Sequence, residues 1–250
     1  MTDVTPQSSP LVPRSDTLCG PRHALPEDLG HLTDDLPDEL APSPVDVVVF
    51  DLGNVLIRWD PAPAIAAAVG EERATRFLAD TSFDFAAWNH QQDAGRRWDE
   101  AETAAIARFP QYEDEILAYR RHFDASMTGP IDGTIEILRE LHTAEIPLVA
   151  LTNWSEEMFP YALKRFDFLD VFEDIIVSGE EGVAKPDPEI FEILEERIRH
   201  LGSLDDSVFI DDSPANVRAA LSAGLDAIPF VSPQDLRSDL LVRGLPLQDA

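Results

Sequence analysis

Val47-Val48-Val49-Phe50-Asp51-Leu52-Gly53-Asn54 is the stretch on which the reading of this chain turns. Its apolar residues run on without alternating with polar ones, so both faces of the strand they form must be covered. That pattern belongs to a central parallel strand. Asp-Leu-Gly-Asn then supplies turn chemistry and ends it. Similar short apolar runs follow at 147–151, 174–177, 208–210 and 227–231. Amphipathic stretches at 132–143, 155–164, 188–200 and 214–223 separate them. Strands alternating with helices predict an α/β fold built on a doubly wound parallel sheet.

The spacing departs from a simple βαβ repeat at one place. Roughly 95 residues separate the first two strands, whereas a crossover needs only a dozen or more. The intervening sequence reads as helices at 61–80, 85–109 and 112–127, so a helical cap, 61–128, is expected between core segments 45–60 and 129–250. Its insertion point makes it a lid over the C-terminal end of the first strand. Residues 1–44 are rich in Pro, Ser, Thr and Asp, without helical or strand period, and are expected to form a disordered leader.

Ligands of an open parallel sheet bind beyond the carboxyl ends of its strands. Asp51 follows the first strand, and Thr152-Asn153 follows the second. Lys185 lies in the loop after the third, and Asp211-Asp212 closes the fourth. Carboxylates crowded together need a divalent cation, and hard oxygen ligands select magnesium. Lysine adds a compact charge for phosphate and nucleophile alike. Thr152 and Asn153 offer a hydroxyl and an amide to a phosphoryl oxygen, leaving Asp51 to attack phosphorus.

Each residue alone has a plainer explanation. Asp at a strand end is usually turn chemistry, Thr152 and Asn153 can lead into a helix, and a lone lysine is usually solvated. Yet the chain has only two lysines, Lys164 and Lys185, which sets the second apart. Ser213-Pro214 already provides an N-cap and a first helical residue, which is expected to leave Asp211 and Asp212 free of capping duty.

Charge narrows the partners. With 48 acidic against 19 basic residues, the formal net charge is −29, which argues against nucleic acid and anionic membranes. A salt-adapted host would account for the acidity equally well. Phosphate is also repelled at long range, so its site must be built locally. The one cysteine, Cys19, precludes an internal disulfide. No signal peptide or membrane span is legible, and the cytoplasm is the expected location.

The order Asp…Thr-Asn…Lys-Pro…Asp-Asp, with helices inserted after the first strand, resembles the haloacid dehalogenase superfamily. The resemblance covers about 45–231. It implies that Asp51 is the nucleophile, that Thr152 and Asn153 bind the phosphoryl group, and that Lys185 bridges the two. It also implies a Mg2+ cofactor held by Asp51, the Gly53 carbonyl and Asp212, with Asp211 in or just behind the ligand set. The implied activity is a phosphatase acting on a small phosphorylated metabolite through an aspartyl-phosphate.

One position departs from the family. Its phosphatases usually carry a second Asp, the general acid and base, two residues after the nucleophile; here stands Gly53. The segment FDLGNVLIRWDP is similar to a YihX-like subgroup of sugar-phosphate phosphatases that shares this glycine. Leaving-group protonation then falls to water or to a cap residue such as His90 or Asp93. Trp88-Asn89-His90 and Arg96-Arg97-Trp98 suit a polar phosphate, although Trp88 and Trp98 as cap core and the arginines as surface is the plainer reading. Two alternatives stand beside the phosphatase. A 2-haloacid dehalogenase shares the attacking Asp but needs no metal, and a non-catalytic binding or regulatory protein would have kept the fold without the acid.

Overall fold

The computed structural model describes residues 45–248. The leader assigned to 1–44 therefore lies outside the described residues. Five strands form one parallel sheet in the order β5-β4-β1-β6-β7. They are β1 (Val47–Phe50), β4 (Leu148–Thr152), β5 (Asp174–Val177), β6 (Ser207–Asp211) and β7 (Asp226–Pro229). β1 is central, and Val48 is level with Leu148 on one side and Val208 on the other.

The unalternated apolar run of β1 is explained by two cores. Val48 and Phe50 pack on one face, against α6 (Asp132–Thr143), α7 (Phe159–Arg165) and α11 (Pro233–Val242). Val47 and Val49 face the other, under α9 (Pro188–Ile198) and α10 (Pro214–Ala223). The doubly wound α/β fold read from the sequence is thus the one observed.

Between β1 and β4 the chain makes β2 (Ile57–Trp59), then α1 (Pro61–Val69), α2 (Glu71–Ala79), α3 (Phe85–Asp93), α4 (Trp98–Arg108) and α5 (Glu113–Arg121), then β3 (Met127–Pro130). β2 and β3 pair antiparallel at the root of this helical insertion, with an irregularity between Arg58 and Trp59. The expected helix 61–80 is two helices that break at Gly70, where φ is +81°. The expected helix 85–109 breaks at 94–97, where Gly95 has φ +91°. The expected helix 112–127 ends at Arg121, because its last residues form a 3-10 turn and β3. The helix expected from 155 begins at Phe159, with Pro160 in its first turn.

Candidate active site

β1 delivers Asp51 to the C-terminal edge of the sheet, where only 7 % of its surface remains exposed. Its Oδ1 accepts the Leu52 N–H at 2.8 Å and lies 3.0 Å from Lys185 Nζ. Lys185, in the loop before α9, is 1 % exposed and also donates to Asp211 Oδ2 at 2.7 Å and to the Leu151 carbonyl at 2.6 Å. Asp211 ends β6, and the exposed Asp212 follows it. Asp51, Asp211 and Asp212 each offer a carboxylate oxygen within 4.8 Å of the others'.

Electrostatics suits this cluster to a cation. Three carboxylates around one ammonium leave a surplus of two negative charges at a buried sheet edge. Burial is the main cause pushing the Asp51 carboxyl up to about 7; Lys185 pulls it down, and Asp211 adds to the push. Partial burial and then Asp211 raise Asp212 as well. A small divalent cation with oxygen ligands would remove that surplus, so the donor set fits magnesium.

A cavity of about 440 Å³ opens over Asp51 and is shared between the sheet edge and the insertion. Asp51, Gly53, Lys185 and Asp212 form its polar floor. Trp59, Trp98, Tyr119, Phe123 and Trp154 make much of its wall aromatic.

A family model described as haloacid dehalogenase-like hydrolase matches residues 45–224. The chain belongs to this family. Among relatives of this hydrolase, the sesquiterpene phosphatase astK of Aspergillus oryzae is 26% identical over 183 residues, covering 71% of this chain and 85% of its own. The drimenol cyclase drtB of Aspergillus calidoustus is 24% identical, and the match takes in 78% of this chain but only 36% of that protein. Flavin mononucleotide hydrolase 1 of Arabidopsis thaliana is 30% identical over 118 residues, 46% of each chain. Among solved structures, the wild-type HAD family enzyme bt-2542 of Bacteroides thetaiotaomicron, in complex with magnesium and inorganic phosphate, superposes with a TM-score of 0.57 at 20% identity, covering 74% of this chain and 94% of that one. A HAD family hydrolase from Deinococcus radiodurans with bound phosphate and sodium gives 0.56 at 26% identity, covering 83% and 100%.

Within this haloacid dehalogenase-like hydrolase, several residues named from sequence do other work than expected. The Asn153 amide does not point free toward a ligand. Its Nδ2 donates to the Lys185 carbonyl at 2.8 Å and its Oδ1 accepts the Lys185 N–H at 2.9 Å, so both ends clamp the lysine's backbone. Asp211 is not free of local duty either. Its oxygens accept from Ser213 N at 2.8 Å, from Asn216 Nδ2 at 3.0 and 3.1 Å, and from Lys185. The Ser213 side chain makes no capping bond, so the aspartate has taken on the loop's backbone. Fully buried and fully engaged, Asp211 is poorly placed to ligate a cation directly; Asp212 is open to the cavity.

Thr152 sits at the end of β4, 1 % exposed, and its hydroxyl has no partner among the described residues. It lies behind the cavity wall rather than on it. Gly53 needs no left-handed backbone, and a Cβ there would meet nothing within 4 Å. The positive φ of the turn, +54°, falls on Asn54, whose Oδ1 accepts the Trp59 N–H at 3.1 Å.

In the insertion, Trp88 is core, and its ring meets Trp98 edge-on at 5.4 Å. Arg96 turns to Gln91 at 2.6 Å and Arg97 is an exposed partner of Asp99, so neither lines the cavity. Asn89, His90, Asp93 and Trp98 do line it. Sequence reasoning missed Asn216 and Ser178, which hold Asp211 and the Trp154 N–H. Ser178 directly follows β5, and Asn216 lies in the first turn of α10; neither position carries a stronger local signal.

Proposed function

We propose that this hydrolase is a magnesium-dependent phosphatase that cleaves phosphate monoesters through a phosphorylated Asp51. The observation that carries it is the buried contact of Asp51, Lys185 and Asp211, with Asp212 beside it at the floor of one cavity. Asp51 attacks phosphorus, and the P–O bond to the leaving group breaks. Leu52 N–H and Lys185 hold one oxygen of the attacking carboxylate and fix its direction. Lys185 also offers positive charge to the phosphoryl oxygens. Asp211 acts through its hold on Lys185, and Asn153 acts through the lysine's backbone.

Asp51, Asp212 and the Gly53 carbonyl would hold Mg2+. Bound there, the ion supplies charge that offsets the carboxylates and polarises the phosphoryl group. The negative cluster also separates this reading from a 2-haloacid dehalogenase, whose chemistry has no phosphate charge to neutralise. The helical insertion would serve as the cap over the site.

The cavity wall bears on the substrate's other end. A sugar would bring hydroxyls that need partners, and although Asn54, Asn89 and His90 line the cavity, the larger share of its surface is apolar, with Trp59 the aromatic most open to it. The arginines that suited a sugar phosphate face elsewhere. An ester with an apolar or aromatic body is therefore the better fit, in keeping with relatives named as a sesquiterpene phosphatase and a flavin mononucleotide hydrolase. The test compares kcat/KM for isoprenyl, aryl and hexose phosphates with magnesium present. Isoprenyl or aryl esters are expected to lead by about tenfold or more, the effect of roughly 1.4 kcal/mol of apolar contact. Preference for the hexose phosphate overturns the apolar reading and restores the sugar-phosphate one.

A further inference from the structure

Position 53 carries no acid, yet the cavity contains one that the family motifs do not include. Asp93 is the last residue of α3 and lines the cavity with Asp51. Two contacts with the sheet domain fix it there. Its backbone carbonyl accepts the hydroxyl of buried Ser178 at 2.5 Å, and the same Ser178 oxygen accepts the Trp154 N–H. Two residues on, a Cβ at Gly95 would stand 3.0 Å from Gly182 Cα. The chain leaving α3 thus lies almost backbone to backbone against the segment after β5. On the side chain, Oδ2 accepts from Asn89 Nδ2 at 3.0 Å. Oδ1 has no donor among the described residues.

We propose that Asp93 is the general acid and base of this site, reaching from the insertion to do what residue 53 cannot. This rests on the phosphatase reading above. In the first step the Asp51 carboxylate bonds to phosphorus while the P–O bond to the alcohol breaks. The Asp93 carboxyl gives its proton to the departing oxygen. In the second, Asp93, now ionised, takes a proton from water as the water oxygen bonds to phosphorus. The P–Oδ bond to Asp51 breaks, phosphate leaves, and both aspartates return to their starting forms.

Burial is the main cause pushing the Asp93 carboxyl up to about 7; the Asn89 bond opposes it and the Asp51 charge adds to it. That is the range in which one group can both give and take a proton near neutrality. A cation on Asp51 would remove the smallest of these effects and leave the burial. The groups around Asp93 are Asp51 on the β1 loop, Tyr119 on α5, and Asn89 and His90 on its own helix; Lys185 and Asp212 line the same cavity. His90 is exposed, and no hydrogen bond or ion pair among the described residues orients its ring, so it is the weaker candidate.

The experiment uses the full chain with magnesium and a series of phosphate esters from aryl to alkyl leaving groups. In Asp93→Asn the substituted amide can still accept from Asn89. Alkyl esters should lose roughly 10²–10⁴-fold in kcat/KM, the usual worth of a general acid. The first release of an activated phenol should change far less, and the phosphoenzyme should then persist. The pH profile of kcat/KM should lose its limb near 7. Because Gly53 has room for a side chain, Gly53→Asp added to Asp93→Asn should restore alkyl turnover by tenfold or more. A wild-type leaving-group dependence and pH profile in Asp93→Asn, or an equal loss across the whole series, overturns the assignment while the phosphatase stands. If the wild type hydrolyses none of these esters, the phosphatase reading falls and Asp93's role with it.

Discussion

Asp211 and Asp212 are neighbours in sequence, but the structure gives them opposite debts to stability. Asp211→Ala removes a fully buried carboxylate and leaves Lys185 Nζ, Ser213 N and Asn216 Nδ2 short of an acceptor. Breaking a buried pair by deleting one partner costs about 3–5 kcal/mol. Lys185 keeps Asp51 at 3.0 Å, and one charge leaves an overcharged cluster, which argues for the lower end. At roughly 2–4 °C per kcal/mol for a domain of this size, the midpoint should fall by about 6–12 °C.

Asp212 is exposed and is raised by partial burial and by Asp211, so its removal without metal should change stability by less than about 1 kcal/mol in either direction. The assay is thermal unfolding of both variants and the wild type, in chelator and in magnesium. Wild type and Asp211→Ala should both gain from magnesium, the variant from a lower baseline. Asp212→Ala should keep the wild-type midpoint in chelator and lose most of the gain. An Asp211→Ala midpoint within about 2 °C of wild type in chelator, less than one kcal/mol of effect, would refute the assigned buried hold on Lys185.

Lys185→Met should lose about a hundredfold or more in turnover, and Lys185→Arg should not recover it, because a planar fork cannot fill the point between Asp51, Asp211 and the Leu151 carbonyl. Wild-type turnover by the arginine variant contradicts that role. Chelation should stop phosphate release and magnesium restore it, whereas metal-free halide release from a 2-haloacid would favour the dehalogenase. Asp51 and Asp93 are raised to about 7 in the folded chain, above the unfolded value near 3.9. The stability tied to their protonated forms is complete below that lower value and is lost as pH rises through about 7. In chelator the melting midpoint should therefore fall from pH 5 to 8, and Asp93→Asn should recover about 1–2 kcal/mol of the loss at pH 8. A midpoint that rises over that window, or a variant with the wild-type slope, contradicts the two buried acids.

Central strands proved easy to read because burial on both faces leaves an unbroken apolar run, as in Val47–Phe50, where every residue is fully buried. The pair β2 and β3 was illegible. Three- and four-residue strands holding Arg58, Trp59 and Gly129 carry neither alternation nor an apolar run, and only their pairing across the insertion makes them strands. Helix existence in the insertion was visible, but the breaks at Gly70 and Gly95 were not, because isolated glycines inside amphipathic patterns do not announce a positive φ. At the site, residue identity at strand ends foretold which side chains meet. It did not foretell which way they point. Asn153 turns both amide atoms onto Lys185, and Asp211 turns inward while Asp212 turns out. The direction of Asp211 depends on Asn216 and Ser213, and that of Asn153 on the Lys185 backbone.

Turnover by Asp51→Asn tests the central claim most directly. The amide is nearly isosteric and can still accept the Leu52 N–H, so the fold should hold while the nucleophilic charge is gone. With magnesium and the best ester found for the wild type, and with circular dichroism and melting midpoint matched, phosphate release should drop by about a thousandfold or more, the order expected for a lost nucleophile. Release within about tenfold of wild type would mean that Asp51 does not attack phosphorus, and the aspartyl-phosphate account would be wrong.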